Sequence, residues 1–260
     1  MPPLHFPDLK PKEHISAKVS LPVLREVLHH IFSQVPEGLW LVGGTALAGY
    51  YAEHRRSDDL DLFAMDPAAH RACILAVKSL IQKGARFSSE RTSPYYYHAD
   101  VQFRDHSFTL DCVLDENLHR IGGALETGDG VRVADLQTLF TTKSACLVSR
   151  CSEKDLFDLD WLISQTQEFH ISDLVRFGSQ IDGGLTVETL LISIRGTRLK
   201  KEHCHFLPEK SPLTVEEVYQ KIVSLQKKFI KELLDYEKTL PLSEEVRALS
   251  QALKDQKKWR

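Results

Sequence analysis

The sequence predicts an α+β domain of about 165 residues followed by a helical C-terminal part. Three observations carry that prediction. A short continuous apolar run, Leu39-Trp40-Leu41-Val42, meets a glycine pair, Gly43-Gly44, and then a helical stretch. Leu60 and Leu62 alternate with Asp59 and Asp61, the pattern of a strand with one apolar and one acidic face. From His170 onward the apolar spacing is helical throughout. We therefore expect one domain over residues 1–168, with 1–13 as a surface arm holding four prolines, and a helical domain over 169–260.

Each element has a local reason. Leu24, Val27, Leu28 and Ile31 recur at helical spacing within 21–35, and Pro36-Glu37-Gly38 ends that helix. Residues 39–42 suit a buried strand, and Thr45 to about His54 a helix. Asp66-Pro67 is an N-cap followed by proline at the first helical position, opening a helix to about Gln82. Residues 85–92, 98–104 and 107–114 form a meander with turn signals at Ser93-Pro94 and Asp105-His106. Val131-Arg132-Val133 is a short extended piece, and helices follow over 134–149 and 153–166. Further on, Thr214 and Glu217 form a capping box, with Leu213 and Val218 as its staple. The stripe Val215, Val218, Ile222, Leu225, Phe229 and Leu233 then marks a core-facing helix, and a last helix follows Ser243.

Composition narrows the function. Apolar residues are 42 % and charged residues 27 %, which excludes a disordered or low-complexity chain. Net charge is −3, with −7 over the first 197 residues and +4 from Arg198 onward. A solvated helical surface explains that tail as well as an anionic partner does. Cys73, Cys112, Cys146, Cys151 and Cys204 contain no C-x-x-C spacing, and His203-Cys204-His205 has no second cluster to complete a zinc site. The N-terminus has no signal-like apolar run, and no stretch approaches the roughly 20 apolar residues of a membrane helix. A cytoplasmic protein with no membrane partner is expected.

The chemistry concentrates in Leu41-Val42-Gly43-Gly44-Thr45-Ala46-Leu47 and in Arg55-Arg56-Ser57-Asp58-Asp59-Leu60-Asp61-Leu62-Phe63. Asp59 and Asp61 leave one face of a strand about 7 Å apart. Two unpaired carboxylates there repel each other, and a divalent cation resolves the conflict. Hard Mg²⁺ is commonly held by one or two carboxylates plus substrate phosphates. The glycine pair lets backbone approach an anion, and the helix opening at Thr45 turns N–H groups and a hydroxyl toward a phosphate. Lys143 and Arg150 share one helix face. Asp155 and Asp158 share a face of the next helix, so the four can also pair as a structural clamp.

The strings GG-T-A-L and H-R-R-S-D-D-L-D-L-F resemble the nucleotidyltransferase superfamily that includes DNA polymerase β, and more narrowly the AbiEii/AbiGii toxin family with its MenT-type members. Fourteen residues separate Gly44 from Asp59, a long interval for the superfamily but ordinary for this branch. A second block, LFTTKSACLVSRCSEKDLFDLDWLI over 139–163, resembles the family's later lysine and K-D-x-x-D motif, with Ser144 to Cys146 a minor departure. The likeness covers roughly residues 38–165. It implies a polymerase β-like fold and transfer of a nucleoside monophosphate from an NTP, with Mg²⁺ or Mn²⁺, to an acceptor hydroxyl. It implies tRNA or another RNA as acceptor, and a toxin of a toxin–antitoxin or phage-defence system with a cognate antitoxin.

Carried onto this chain, the resemblance implies Asp59 and Asp61 as metal ligands. A third carboxylate comes from a neighbouring strand; Asp111 is the best candidate, ahead of Asp100 and Asp115, as ligand and as base toward the acceptor. Lys143 neutralises triphosphate charge, and Asp155 or Asp158 stands near the acceptor or metal. Gly43, Gly44, Thr45, Arg56, Ser57, Arg150 and Asp155 complete the nucleotide-binding set with Lys143, and Arg56 is preferred over Arg55. Tyr95-Tyr96-Tyr97 suits a strand with alternating core rings better than a base-stacking platform. Small-molecule or protein hydroxyls are the competing acceptors, and an inactive nucleotide-binding module the competing non-enzyme.

Overall fold

The computed structural model describes residues 4–35 and 37–241. Its centre is a seven-stranded sheet in the order β3-β4-β5-β2-β1-β7-β6. The strands are β1 (Leu39–Val42), β2 (Leu60–Ala64), β3 (Arg86–Ser93), β4 (Tyr96–Phe103), β5 (His106–Leu114), β6 (Ala124–Glu126) and β7 (Arg132–Ala134). Helix α1 (Pro22–Gln34) precedes β1, and α3 (Pro67–Ser79) follows β2. Asp66 caps α3 as expected, accepting from the N–H groups of Ala68 and Ala69. The meander 86–114 and the strand pair at 39–42 and 60–64 lie where the alternation put them. The strand β6 was not expected; three residues between loops carry too little periodicity to read.

The alternation sorts the two faces of the sheet. Leu39, Leu41, Leu60, Leu62, Leu110, Cys112, Tyr97 and Ala99 are buried. On α3, His70 Nε2 donates to the carbonyl of Cys112 at 3.2 Å, which places that helix against β5. The opposite face carries Asp61 on β2, Asp111 on β5 and His98 on β4. These stand directly opposite one another, because Asp61 pairs with Asp111 in a parallel ladder and Asp111 with His98 in an antiparallel one. Polar residues survive on this face because it is only partly covered across β4 and β5.

The glycine pair opens a short helix, α2 (Gly43–Leu47), which continues as one π-helical turn over Ala48–Ala52. The expected single helix from Thr45 therefore begins two residues earlier and loosens midway. The wider turn seats Tyr50 and Tyr51 in the interior, their hydroxyls donating to Asp129 at 3.1 Å and to the Ala134 carbonyl at 3.0 Å. The N-terminal arm straps this segment. The N–H groups of Lys12 and Ser16 donate to the carbonyls of Tyr50 and Gly49, and Ile15 is buried beside them.

The remaining chain is helical: α4 (Leu136–Ser149), α5 (Glu153–Ser164), α6 (Ile171–Gly178), α7 (Val187–Gly196) and α8 (Val215–Thr239), with a 3₁₀ turn at Lys201–Cys204. The capping box at Thr214 and Glu217 forms. Of the α8 stripe, Val218, Ile222, Phe229 and Leu233 are buried, and Val215 and Leu225 partly so. The helix expected after Ser243 lies outside the described residues. One cluster of buried side chains runs from Leu4 through the sheet to Leu233. Phe140 on α4 is its hub, with ring contacts to Phe6 at 5.4 Å and Phe177 at 5.5 Å. Among the described residues no helix is long and apolar enough to cross a membrane.

Phe229 is fully buried and packs on Phe169 at 6.1 Å. Phe229→Ala is expected to cost about 3–5 kcal/mol in urea unfolding. Leu234→Ala, on the exposed side of the same helix, is expected to cost under about 0.5 kcal/mol.

Candidate active site

Asp59 and Asp61 flank Leu60 at the start of β2 and face the open side of the sheet. Asp59 is exposed, and its Oδ1 accepts from the Thr109 hydroxyl at 2.8 Å. Asp61 is half-buried and its carboxylate has no hydrogen-bond partner among the described residues. Burial pushes its pKa up to about 6; Lys143 opposes the shift, while Asp111 and Asp59 add to it. Asp111 keeps Oδ1 turned away, accepting from the Tyr96 hydroxyl at 2.5 Å and sharing a hydrogen bond with His98 Nδ1 at 2.8 Å.

Both glycines are explained by what they adjoin. Gly43 has φ of +70°, and a Cβ there would fall on the Asp61 carboxylate. A Cβ on Gly44 would fall on the Arg55 guanidinium and the Ser57 hydroxyl. The close approach they permit is thus first to the chain's own charged groups. Thr45 is buried, and its hydroxyl donates to the Asp59 carbonyl and to Ser57 Oγ. This fixes the backbone that presents Asp59.

Behind Asp61 lies a buried charge network. Asp158 is inaccessible to solvent and takes two bonds from Arg55, Nε to Oδ1 at 2.6 Å and Nη2 to Oδ2 at 2.7 Å. His54 Nε2 meets Oδ1 at 2.8 Å and Lys143 Nζ meets Oδ2 at 2.8 Å. Lys143 also donates to Asp155 Oδ1 at 2.9 Å, and Ser152 donates to Asp155 Oδ2 at 2.6 Å. Burial alone would raise both carboxyl pKa values. Arg55 and Lys143 hold Asp158 well below its ordinary range, and Lys143, Ser152 and Arg150 lower Asp155. Burial likewise opposes the charge on Lys143, but Asp158 and Asp155 outweigh it and raise its pKa.

The structure gives several of the expected site residues partners within the chain. Asp158, expected near the acceptor or metal, has both oxygens taken by buried donors and acts on Arg55 and Lys143 instead. Asp155, expected at the nucleotide, is nearly inaccessible and serves the start of α5 through Ser152. The hydroxyls of Thr45 and Ser57 bond each other rather than facing outward. Arg55, not Arg56, belongs to the cluster. Arg56 is exposed and donates from Nη2 to the His205 carbonyl at 3.0 Å. Lys143 forms the clamp, with two of its three donors used and its charge still felt at Asp61. Arg150 is exposed, and its only ion pair among the described residues is a long one to Asp155 at 3.6 Å.

The expected cage of Asp59, Asp61 and Asp111 is not preassembled. Among the described residues no group of three or more histidine, cysteine or acidic side chains is arranged to hold a metal ion. Thr109 draws on one carboxylate, and Tyr96 with His98 on another. The donor chemistry nonetheless fits a divalent cation. Asp61 is a half-buried acceptor with no partner, crowded by two more carboxylates, which is the charge arrangement such an ion relieves. His98, Tyr96 and Thr109 were not among the expected site residues. Their one signal is the register that sets β4 and β5 beside the D-x-D strand, which alternation alone does not give.

Two outcomes test this geometry. Asp158→Ala leaves Arg55 buried and uncompensated, so urea unfolding is expected to show a loss of about 3–5 kcal/mol. The second concerns Asp61, whose folded pKa lies above its unfolded value near 3.9. The native state then binds the extra proton between about pH 4 and 6, so this group makes stability fall as pH rises through that window. Asp61→Asn is expected to raise the melting temperature above pH 6 and to flatten that part of the profile.

The sequence model of the AbiEii family, the nucleotidyl transferase toxin of a type IV toxin–antitoxin system, matches residues 26–180. No curated protein matches the chain. MenT4, a nucleotidyltransferase toxin from Mycobacterium tuberculosis, is similar in fold at 20 % identity and a TM-score of 0.50, over 86 % of this chain and 85 % of that one. JHP933 from Helicobacter pylori is similar over 88 % of this chain and 95 % of its own, at 19 % identity and a TM-score of 0.49. With more than half of its length matched by that model, and with the D-x-D strand, glycine pair and lysine helix inside the match, the chain belongs to the AbiEii family of nucleotidyltransferase toxins.

Proposed function

We propose that this toxin transfers a nucleoside monophosphate from an NTP to a hydroxyl of tRNA or another RNA in the cytoplasm, with Mg²⁺ or Mn²⁺ as cofactor and a cognate antitoxin as its restraint. The observation that carries the reading is Asp61, a carboxylate without a donor, pressed against Gly43 and flanked by Asp59 and Asp111. A bound divalent ion would supply charge neutralisation for phosphate oxygens there, held by Asp59 and Asp61.

The chain's own groups divide the remaining work. Arg150, exposed beside the buried Lys143, meets triphosphate charge, and Lys143 contributes its field from behind. Gly43 keeps a side chain off Asp61, and Gly44 leaves room for Arg55 and Ser57 behind it. Asp111 accepts the proton of the attacking hydroxyl through Oδ2, since Oδ1 is occupied by Tyr96 and His98. Asp155 and Asp158 hold Lys143 and Arg55 in place.

Asp59 stands exposed on a sheet face that continues open across β5 and β4. That openness favours a macromolecular acceptor over a small molecule enclosed in a pocket. The cavity of about 700 Å³ lined by Arg25, His29 and Arg132 lies elsewhere; none of its lining residues belongs to the site.

Incubation with each of the four α-labelled NTPs, Mg²⁺ and total tRNA is expected to place label in RNA, and Asp59→Ala to reduce it at least 100-fold. NTP binding without labelled RNA would point to a small-molecule or protein acceptor. No NTP binding would sink the catalytic reading.

A further inference from the structure

The site is lopsided. In the sheet order β3-β4-β5-β2-β1, Asp61 sits on β2. On the β1 side it meets Gly43 of α2, which packs on α4 with Lys143. On the β5 side it meets Asp111, and beyond that β4 and β3. The positive charge that acts on Asp61, from Lys143 and Arg150, is on the first side. In-line displacement sets attacking and leaving oxygens on opposite sides of phosphorus, so pyrophosphate departs toward the cations and the acceptor arrives over β5, β4 and β3.

That approach has a surface of defined chemistry. Arg91, His98, Asp111 and Asp61 stand opposite one another across four strands and share one face. Tyr96 lies beside His98 with ring centroids 6.4 Å apart and planes 15° apart. Tyr96 is exposed, unlike Tyr97, which is wholly buried on the other face. Arg91 and Arg86 are exposed on the site face, and neither has an ion pair among the described residues. Glu90, between them, turns to the other face and accepts from the Tyr97 hydroxyl at 3.0 Å. A bulge between Ser88 and Arg91 sets this alternation and delivers Arg91 opposite His98.

We propose that this face of β3 and β4 is the acceptor subsite, and that it takes an unpaired RNA end by stacking a base on Tyr96 and His98 and placing a backbone phosphate on Arg91. The proposal rests on the nucleotidyl-transfer reading and assigns its second substrate to a place. Flat rings beside free guanidinium groups suit bases and phosphates together. The Tyr96 hydroxyl, bonded to Asp111, then couples acceptor docking to the carboxylate that meets the attacking hydroxyl.

The test is binding rather than turnover, in the full chain without NTP. A fluorescein-labelled 12-nucleotide single-stranded RNA is titrated by anisotropy at several salt concentrations, with ATP binding measured separately. Arg91→Ala is expected to weaken RNA binding and to lower the salt slope by about one phosphate contact. Tyr96→Leu is expected to weaken it roughly tenfold, while Tyr96→Phe, which keeps the ring, binds like wild type. ATP affinity is expected to be unchanged in all three. Wild-type binding that these variants leave intact would overturn the subsite without touching the transfer reading. An unbound RNA strand, with label from NTP passing instead to a protein, would overturn the assignment to RNA. Loss of ATP binding by the wild type would fall on the transfer reading itself.

Discussion

One buried carboxylate ties the D-x-D strand to the helices. Asp158 reaches from α5 to Arg55, in the loop ahead of β2, and to Lys143 on α4. Three separate pieces of chain therefore meet at two oxygens. Burying such charges costs several kcal/mol per ion, and the cost is offset only when every lone pair and donor finds a partner. Here nearly all do; His54 Nδ1 is the orphan, on a ring packed between Phe157 and Trp161. A network this completely bonded has one low-energy arrangement, so it sets where β2 begins relative to α4. That in turn sets the distance between the Asp59/Asp61 pair and the lysine charge behind it.

The same network explains why Asp61 can be left unsatisfied. A lone half-buried carboxylate next to two others is a destabilising choice, and its raised pKa records that. Lys143 opposes the shift without bonding Asp61, its ammonium being drawn to Asp155 and Asp158. The chain thus supplies a field that keeps the site from collapsing into a neutral one, yet withholds the hydrogen bond that would quench the carboxylate. Stability is given up at one residue and held by a rigid cluster one layer below, a common division at functional sites.

Much of this was legible from the residues. The alternation in Asp59-Leu60-Asp61-Leu62 places β2 and its two faces, and Asp66-Pro67 and Thr214-x-x-Glu217 place two helix starts. Roles inside the network were not legible. Arg55 and Arg56 are adjacent arginines, and which one turns inward depends on Asp158, 103 residues away in sequence from Arg55. Helical spacing allows Lys143 either a substrate contact or a clamp with Asp155 and Asp158, and it takes the packed structure to show both aspartates around it. Register is the other missing quantity. The sequence shows that β4 and β5 are strands, but pairing decides that His98 and Tyr96 share Asp111.

The C-terminal helices belong to the same argument. The N–H of Arg56 donates to the Phe206 carbonyl at 2.6 Å, and its guanidinium reaches the His205 carbonyl. Glu153, at the start of α5, accepts from the Lys200 N–H at 2.6 Å. The segment after α7 therefore grips both the loop that carries Arg55 and the helix that carries Asp158, one on each side of their buried pair. Phe206 also packs on Phe157, closing that pair from water. A charge pair of this kind keeps its strength only while solvent is excluded, since the attraction between its members weakens as the surrounding dielectric rises. The helical tail, whose surplus of lysine and arginine suits a solvated surface or an anionic partner, thus has a structural task already: it covers the charges that hold the D-x-D strand in place.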